Sequence, residues 1–97
     1  MQILQLEHFA GQLNQIFIVD VAESRAPFVL VEARPLDQPA LVDQSRHPFS
    51  LLFRNEAAIV FPQRIYNMHH EATGEFGIFL TAIARDRDGF LYQAVFN

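Results

Sequence analysis

The spacing of apolar residues changes along the chain from a helical repeat to alternation. Near the start, Leu6, Phe9 and Leu13 recur at helical spacing with polar residues between them, which predicts a short helix over roughly residues 4–11. A helix this short is not stable alone and must pack against another element. From residue 15 onward the period becomes two, which is typical of β-strands.

Six stretches of alternating polarity predict six short strands. They lie in the segments QIFIVDV, FVLVEARP, FSLLFRN, AAIVFPQRIYNMHH, FGIFLTAIAR and FLYQAVF. Strict alternation in the second segment places Val29, Val31 and Ala33 on the face opposite Phe28 and Leu30. Turns and loops join the strands, so consecutive strands should pair antiparallel. The predicted fold class is all-β (mainly antiparallel), a small barrel or two-layer sandwich of about six strands with one short N-terminal helix.

Turn signals separate these strands. Asp-Gly in DRDG, residues 86–89, predicts the tight turn of a hairpin. We interpret ESRAP, residues 23–27, as the turn after the first strand, and expect a further turn around Gly74. The polar, proline-containing segment 36–48 predicts a long loop. Pro62 indicates an edge strand or a break into two short strands, because proline cannot donate to a ladder.

The last two strands are apolar at both sets of alternating positions. Phe79 and Ile83 on one strand, and Leu91 and Val95 on the other, face away from the main apolar side. A sheet with one face in solvent is expected to have apolar residues at only one of the two sets of alternating positions. Either the N-terminal helix or a second subunit should cover the face, and we take Phe79, Ile83, Leu91 and Val95 as the candidate interface of a homo-oligomer.

Composition limits the class of protein. The chain has 97 residues, of which 51% are hydrophobic and 19% charged, and this globular composition fits a single domain over residues 1–97. The absence of cysteine excludes disulfides and thiolate metal sites. No apolar run approaches the about 18 residues of a transmembrane helix, and no basic region marks a secretory signal. We therefore expect a cytoplasmic protein with no membrane partner.

Charge and chemistry argue against two further classes. The net charge is −4, and all seven bases are arginines scattered among the acids, whereas a nucleic-acid binder shows a basic surplus or stripe. None of the five serines and threonines lies in a nucleophile-elbow pattern, and no glycine-rich phosphate loop is present. We therefore expect no nucleic-acid partner, no cofactor and no enzymatic activity.

The segment YNMHHE places His69, His70 and Glu71 side by side and raises the question of a metal or acid–base site. Adjacent side chains of a strand point to opposite faces, so the two histidines cannot both bind one ion while the strand stays extended. Zinc sites use at least three protein ligands, and no pattern brings His8 or His47 close. We predict no metal site, with one histidine hydrogen-bonded near the turn and the other facing solvent.

Three segments of the second half resemble a family of small uncharacterised bacterial proteins, a domain of unknown function. They are PFSLLFR, FPQRIYNMHHEATGEFGIFL and RDRDGFLYQAVFN, and the YxAVFN ending is the most specific part. The resemblance covers roughly residues 48–97. Arg64 replaces a glycine of the family pattern, Phe61 replaces a leucine, and of the two adjacent histidines only His70 matches. Members look like neighbours of phage tail-collar-type genes, so the resemblance implies a role near tail-like assemblies.

These observations predict a non-enzymatic structural or protein-interaction domain that self-associates and serves as an accessory to phage-tail-like proteins. The alternative left open is a small β-barrel that binds an apolar small molecule among its phenylalanines.

Overall fold

The structure is a computed structural model that describes residues 4–36 and 47–96. The elements follow in the order α1 (Glu7–Ala10), β1 (Ile16–Val21), β2 (Ser24–Pro35), β3 (Phe49–Asn55), β4 (Arg64–His70), β5 (Gly74–Asp86) and β6 (Gly89–Phe96). All paired strands are antiparallel and close a barrel in the order β1-β2-β3-β6-β5-β4. The predicted all-β fold is confirmed as a barrel. Within the described residues, no helix is long and apolar enough to cross a membrane.

Side chains fill the barrel. Even eight-stranded barrels have interiors just wide enough for their inward-facing side chains, and six strands enclose less. The core consists of alternate residues from every strand together with one residue of α1: Phe9, Phe17, Val19, Phe28, Leu30, Phe49, Leu51, Phe53, Tyr66, Met68, Ile78, Leu80, Tyr92 and Ala94. An apolar ligand among the phenylalanines would therefore have to bind outside the barrel.

Two β-bulges break the alternation of the strands. The register of β2 against β3 shifts at Val31, and the register of β5 against β6 shifts at Ile83. A bulge adds one residue and reverses which positions face inward. Ala33 therefore pairs with the buried Leu51 and packs against the core, on the same side as Phe28. The predicted placement of Ala33 on the opposite face is wrong for this reason.

Aromatic residues close both ends of the barrel. At one end the ring of Phe9 in α1 lies 5.7–6.1 Å, between centroids, from the rings of Phe17, Phe49, Phe76 and Phe96. At the other end Phe61 packs against Phe28 and Tyr92. The helix thus closes an end of the barrel and leaves the outer side of β5 and β6 exposed, so it is not the cover that the apolar hairpin suggested.

The turns are tighter than the sequence indicates. The β1–β2 turn consists of Ala22 and Glu23, and the predicted turn residues from Ser24 to Pro27 already belong to β2. The β5–β6 turn consists of Arg87 and Asp88, followed by Gly89 as the first residue of β6. Residues 56–63 form no strand, so the prediction of a strand over residues 57–61 is wrong, and Pro62 lies in a loop before β4 instead of dividing two short strands. The predicted loop over residues 36–48 lies for the most part outside the described residues.

Candidate functional site

His69 lies on the outer side of β4 and connects three strands. Its Nε2 is 3.0 Å from Oδ2 of Asp20 in β1, and its Nδ1 is 3.2 Å from Oε2 of Glu75 in β5. Asn67 donates to the same two carboxylates, at 3.1 Å and 2.9 Å. We call these four residues the seam cluster, because β1 and β4 close the barrel through two residue pairs and the cluster bridges them.

The seam cluster has the residue types of an acid–base or metal site in a different arrangement. The imidazole ring of His69 lies between the carboxylates, one at each nitrogen, so the three groups do not converge on one point. No set of three or more His, Asp and Glu side chains within residues 4–36 and 47–96 is placed to share a metal ion. Hydrogen bonds from His69, and then from Asn67, hold the pKa of Asp20 below its ordinary value. The cluster therefore links β1 to β4 through side-chain hydrogen bonds where the barrel closes.

Asp20→Asn is expected to destabilise the barrel at neutral pH and to flatten its response to acid. A carboxyl whose pKa is lowered by folding stabilises the folded state above its unfolded pKa of about 3.9, and that stability is lost as the pH falls through the lower folded value. The free energy of unfolding, measured with denaturant at decreasing pH, should therefore decline less steeply below about pH 4 in the variant than in the wild type. Glu71→Gln, exposed in the next turn, is the control. If the free energy of unfolding fell in parallel with pH in Asp20→Asn and the wild type, the seam cluster would not stabilise the barrel through Asp20.

His70 points the other way, into the end of the barrel, as alternation predicts. Its ring stacks on Phe17 with centroids 4.1 Å apart. Its Nδ1 accepts a hydrogen bond from the backbone N–H of Ala72, so Nε2 carries the proton and donates to Oε1 of Gln15. His70 is thus the histidine bonded near the turn. The expectation that the other histidine faces solvent is wrong, because His69 is bound in the seam cluster.

The outer side of β4, β5 and β6 carries large exposed apolar side chains. Ile65 is 71% exposed and pairs across the strands with Phe79, which is 47% exposed. Ile83 and Val95 are 51% and 48% exposed, whereas Leu91, the fourth predicted interface residue, is half-buried. The sequence prediction omitted Ile65, which becomes part of the surface only through the pairing of β4 with β5. We call Ile65, Phe79, Ile83 and Val95 the sheet face.

Residues 56–63, which we call the anchored loop, are fastened to the end of the barrel by two tyrosines. The hydroxyl of Tyr92 accepts a hydrogen bond from the N–H of Phe61 at 2.9 Å. The hydroxyl of Tyr66 donates to the carbonyl oxygen of Pro62 at 2.5 Å. Burial raises the pKa of Tyr66, which keeps this hydroxyl in the protonated form that donates. The second half of the loop is therefore held in one position.

Asn55 holds the first half of the anchored loop. This buried side chain donates to the carbonyl oxygen of Pro27 at 2.8 Å and accepts from the N–H of Ala57 at 2.9 Å. Between these fixed points, the tip residues Ile59 and Val60 are 66% and 53% exposed. The loop thus presents two aliphatic side chains to solvent on a constrained backbone.

A groove of about 580 Å³ lies between the anchored loop and the first half of β2. Charged residues stand at its rim, among them Arg25, Glu56 and Asp88. Its apolar lining comes from Ile16, Ala26, Pro27, Val29, Ala57 and Phe61. The exposed aliphatic pair at the loop tip, Ile59 and Val60, therefore lies beside an apolar groove at one end of the barrel.

Comparison with known proteins gives one family and no relative of known activity. The model of a family described as a domain of unknown function, DUF6916, matches residues 4–96. The match includes the first half of the chain, which the resemblance over residues 48–97 left out. No curated protein and no solved structure matches the chain.

Proposed function

Because the chain belongs to the DUF6916 family, a domain of unknown function, we infer its role from its surfaces. We propose that it is a non-enzymatic protein-interaction domain that self-associates through the sheet face. The observation that carries this proposal is the exposure of four large apolar side chains on the outer side of three neighbouring strands. Large contiguous apolar patches are rare on soluble monomers and mark interaction sites.

The strand register brings the members of the sheet face together. Ile65 and Phe79 are direct cross-strand neighbours, whose Cβ atoms lie about 5 Å apart in such pairs. The last bridge between β5 and β6 at this end joins Thr81 to Gln93, and Phe79 and Val95 each lie two residues beyond it. Two steps along a strand return to the same face, so both residues point outward. The pairing therefore makes Ile65 and Phe79 direct neighbours and places Val95 on the same outer side of the next strand.

The polar surroundings of the sheet face suit a second copy of the chain. A shallow hollow beside Ile83 is bordered by Glu32 and Arg34, which form an ion pair with 3.0 Å between Oε1 and Nε. A border with one positive and one negative side chain does not repel the same border on a second copy, whereas a border with only one sign of charge would. This is the condition for an isologous contact, in which the same patch is used on both subunits.

The double variant Ile65→Thr/Phe79→Thr tests the proposal, because threonine keeps the strand preference and removes most of the apolar area. Sedimentation equilibrium of the wild type should give a mass that rises with concentration, and the variant should need about tenfold more protein for the same degree of association. Leu13→Thr, at a residue 44% exposed in the turn after α1, is the matched control and should behave as wild type. A wild type that stays monomeric at every concentration would refute self-association.

As a partner beyond a second copy, we propose a component of a phage-tail-like assembly, on the sequence resemblance alone. Wild-type bait should retain such a component from its native host in a pull-down, and Ile65→Thr/Phe79→Thr bait should retain less. Equal retention by both baits would separate this partner from the sheet face. We do not propose a ligand inside the barrel, because side chains fill it.

A further inference from the structure

We propose that the anchored loop of one copy docks in the groove of a second copy, and that the second copy returns the same contact. This contact rests on the proposed self-association but uses a surface separate from the sheet face. The knob is the pair Ile59 and Val60 at the loop tip, and the receiving surface is the groove beside β2.

The anchored loop is already shaped for binding. Hydrogen bonds to Ala57, Phe61 and Pro62 fix its backbone on both sides of the tip. Phe61 also buries its ring against Phe28 and Tyr92, so the loop cannot move away without opening the core. A segment ordered before binding loses little conformational entropy on docking, which favours a contact made by few side chains.

The groove accepts side chains and excludes an added strand. Residues 24–28 of β2 pair with β1, and the pairing of β2 with β3 begins only at Val29. This free edge could template a foreign strand, but Pro27 has no N–H and its carbonyl oxygen already accepts from Asn55. The groove volume falls within the range of about 300–1,000 Å³ typical of binding clefts, enough for two aliphatic side chains.

The positions of knob and groove favour a second copy as the occupant. Ala57 and Phe61, which flank the tip, also line the groove, so the two features share a boundary. A two-fold axis near that boundary brings each knob to the groove of the other copy at the same time. Such a contact closes on itself and makes a dimer, whereas the same contact without a two-fold axis would generate rings or chains of molecules.

Charge at the rim is complementary under the same two-fold axis. Arg25 has a 69% exposed side chain and pairs with Asp20 at 3.3 Å, with further N–H groups left to donate. Glu56 is exposed on the opposite wall. By contrast, Arg54 is held by Asp86 at 2.8 Å within its own chain. We therefore expect Arg25 of one copy to face Glu56 of the other, twice in each dimer.

The first test is made in the Ile65→Thr/Phe79→Thr background, so that the sheet face contributes as little as possible. Sedimentation of this protein should still show a dimer at high concentration. Adding Ile59→Ser/Val60→Ser should raise the dimer dissociation constant about tenfold or more. Leu13→Ser in the same background is the control for the loss of an exposed aliphatic residue elsewhere, and it should leave the dimer unchanged.

The second test uses charge reversal in the same background. Arg25→Glu alone places glutamates opposite each other, and Glu56→Arg alone places arginines opposite each other, so each variant should dimerise about tenfold more weakly. Mixing the two variants should restore dimers that contain one chain of each, because both reciprocal pairs are then of opposite sign. Native mass spectrometry distinguishes these mixed dimers when one chain carries a short tag.

Each outcome separates this inference from the proposed function. A background variant that is monomeric at all concentrations, beside a wild type that associates, overturns the loop contact and supports the sheet face. Association that the sheet-face substitutions leave as strong as in the wild type, but that is lost with Ile59→Ser/Val60→Ser, supports the loop contact and overturns the sheet face. Failure of the two charge variants to form mixed dimers overturns the reciprocal geometry. An apolar fluorescent probe that binds the groove equally in dimer and monomer overturns a second copy as its occupant.

Discussion

Phe9→Ala is expected to lower the free energy of unfolding by about 3–5 kcal/mol, the range for removing a buried phenylalanine. Phe9 is fully buried, and its ring contacts four other phenylalanine rings at one end of the barrel. The four-residue helix α1 is too short to persist without this anchor. Alanine would leave an open end lined by aromatic rings, and the loss would be a large part of the about 5–15 kcal/mol that stabilises a typical domain.

Denaturant unfolding of Phe9→Ala gives this free energy directly. Phe9→Leu keeps an apolar side chain in the same place and should lose clearly less. Leu13→Ala, at an exposed residue after the same helix, should stay within about 0.5 kcal/mol of wild type. Limited proteolysis should cut Phe9→Ala within the helix and not the Leu13 variant. Equal losses for Phe9→Ala and Leu13→Ala would mean that the helix does not close the barrel.

Local sequence signals account for most of the strands and for the β5–β6 turn, but not for the β1–β2 turn. Alternation located the inward residues of β1, β3 and β6, where no bulge intervenes. It failed beyond Val31, where the extra residue of the bulge turns Ala33 toward the core, because alternation of polarity alone does not show that a residue has been added. The β1–β2 turn was misplaced because Ala22 adopts φ +54° there, a conformation that glycine or asparagine would have signalled.

The candidate sites depend on contacts between distant residues, and sequence predicts these less well. Asp20 and His69 meet only because β1 and β4 close the barrel in one particular register. Asn55 ends the segment FSLLFRN, and nothing local in the sequence distinguishes it from an exposed polar residue, yet it is buried and fixes the anchored loop. Phe79 and Val95 were predicted as surface residues because double apolar patterning is visible along each strand. The other members of the candidate sites come together only through the pairing of strands that are distant in the sequence.

Gly89→Ala is the second substitution expected to have a large effect, with a loss on the order of 3 kcal/mol or more in the free energy of unfolding. Gly89 has φ +134°, a conformation that side chains disfavour. A Cβ there would lie 2.1 Å from the carbonyl oxygen of Asn55 and 2.9 Å from Cα of Glu56. Both are backbone atoms, so no rotamer change relieves the clash, and the end of β3 must move away from β6.

Gly74→Ala is the matched control for this substitution. Gly74 also has positive φ, at +81°, but a Cβ at this position would meet no atom within 4 Å. Its substitution carries the conformational cost alone, about 1–2 kcal/mol. Denaturant unfolding of both variants therefore separates backbone strain from the clash with β3. Equal losses for the two variants would show that β3 and β6 can separate freely at this point.

The clash at Gly89 should also disturb the surface proposed for dimer formation. Asn55 holds both Pro27 and Ala57, so displacing the end of β3 moves the anchored loop and one wall of the groove together. In the Ile65→Thr/Phe79→Thr background, Gly89→Ala should weaken dimerisation under conditions where the barrel remains folded, and Gly74→Ala should not. Because Gly89 is absent from the groove lining, a selective loss of dimer would report the position of the loop and not a lost contact.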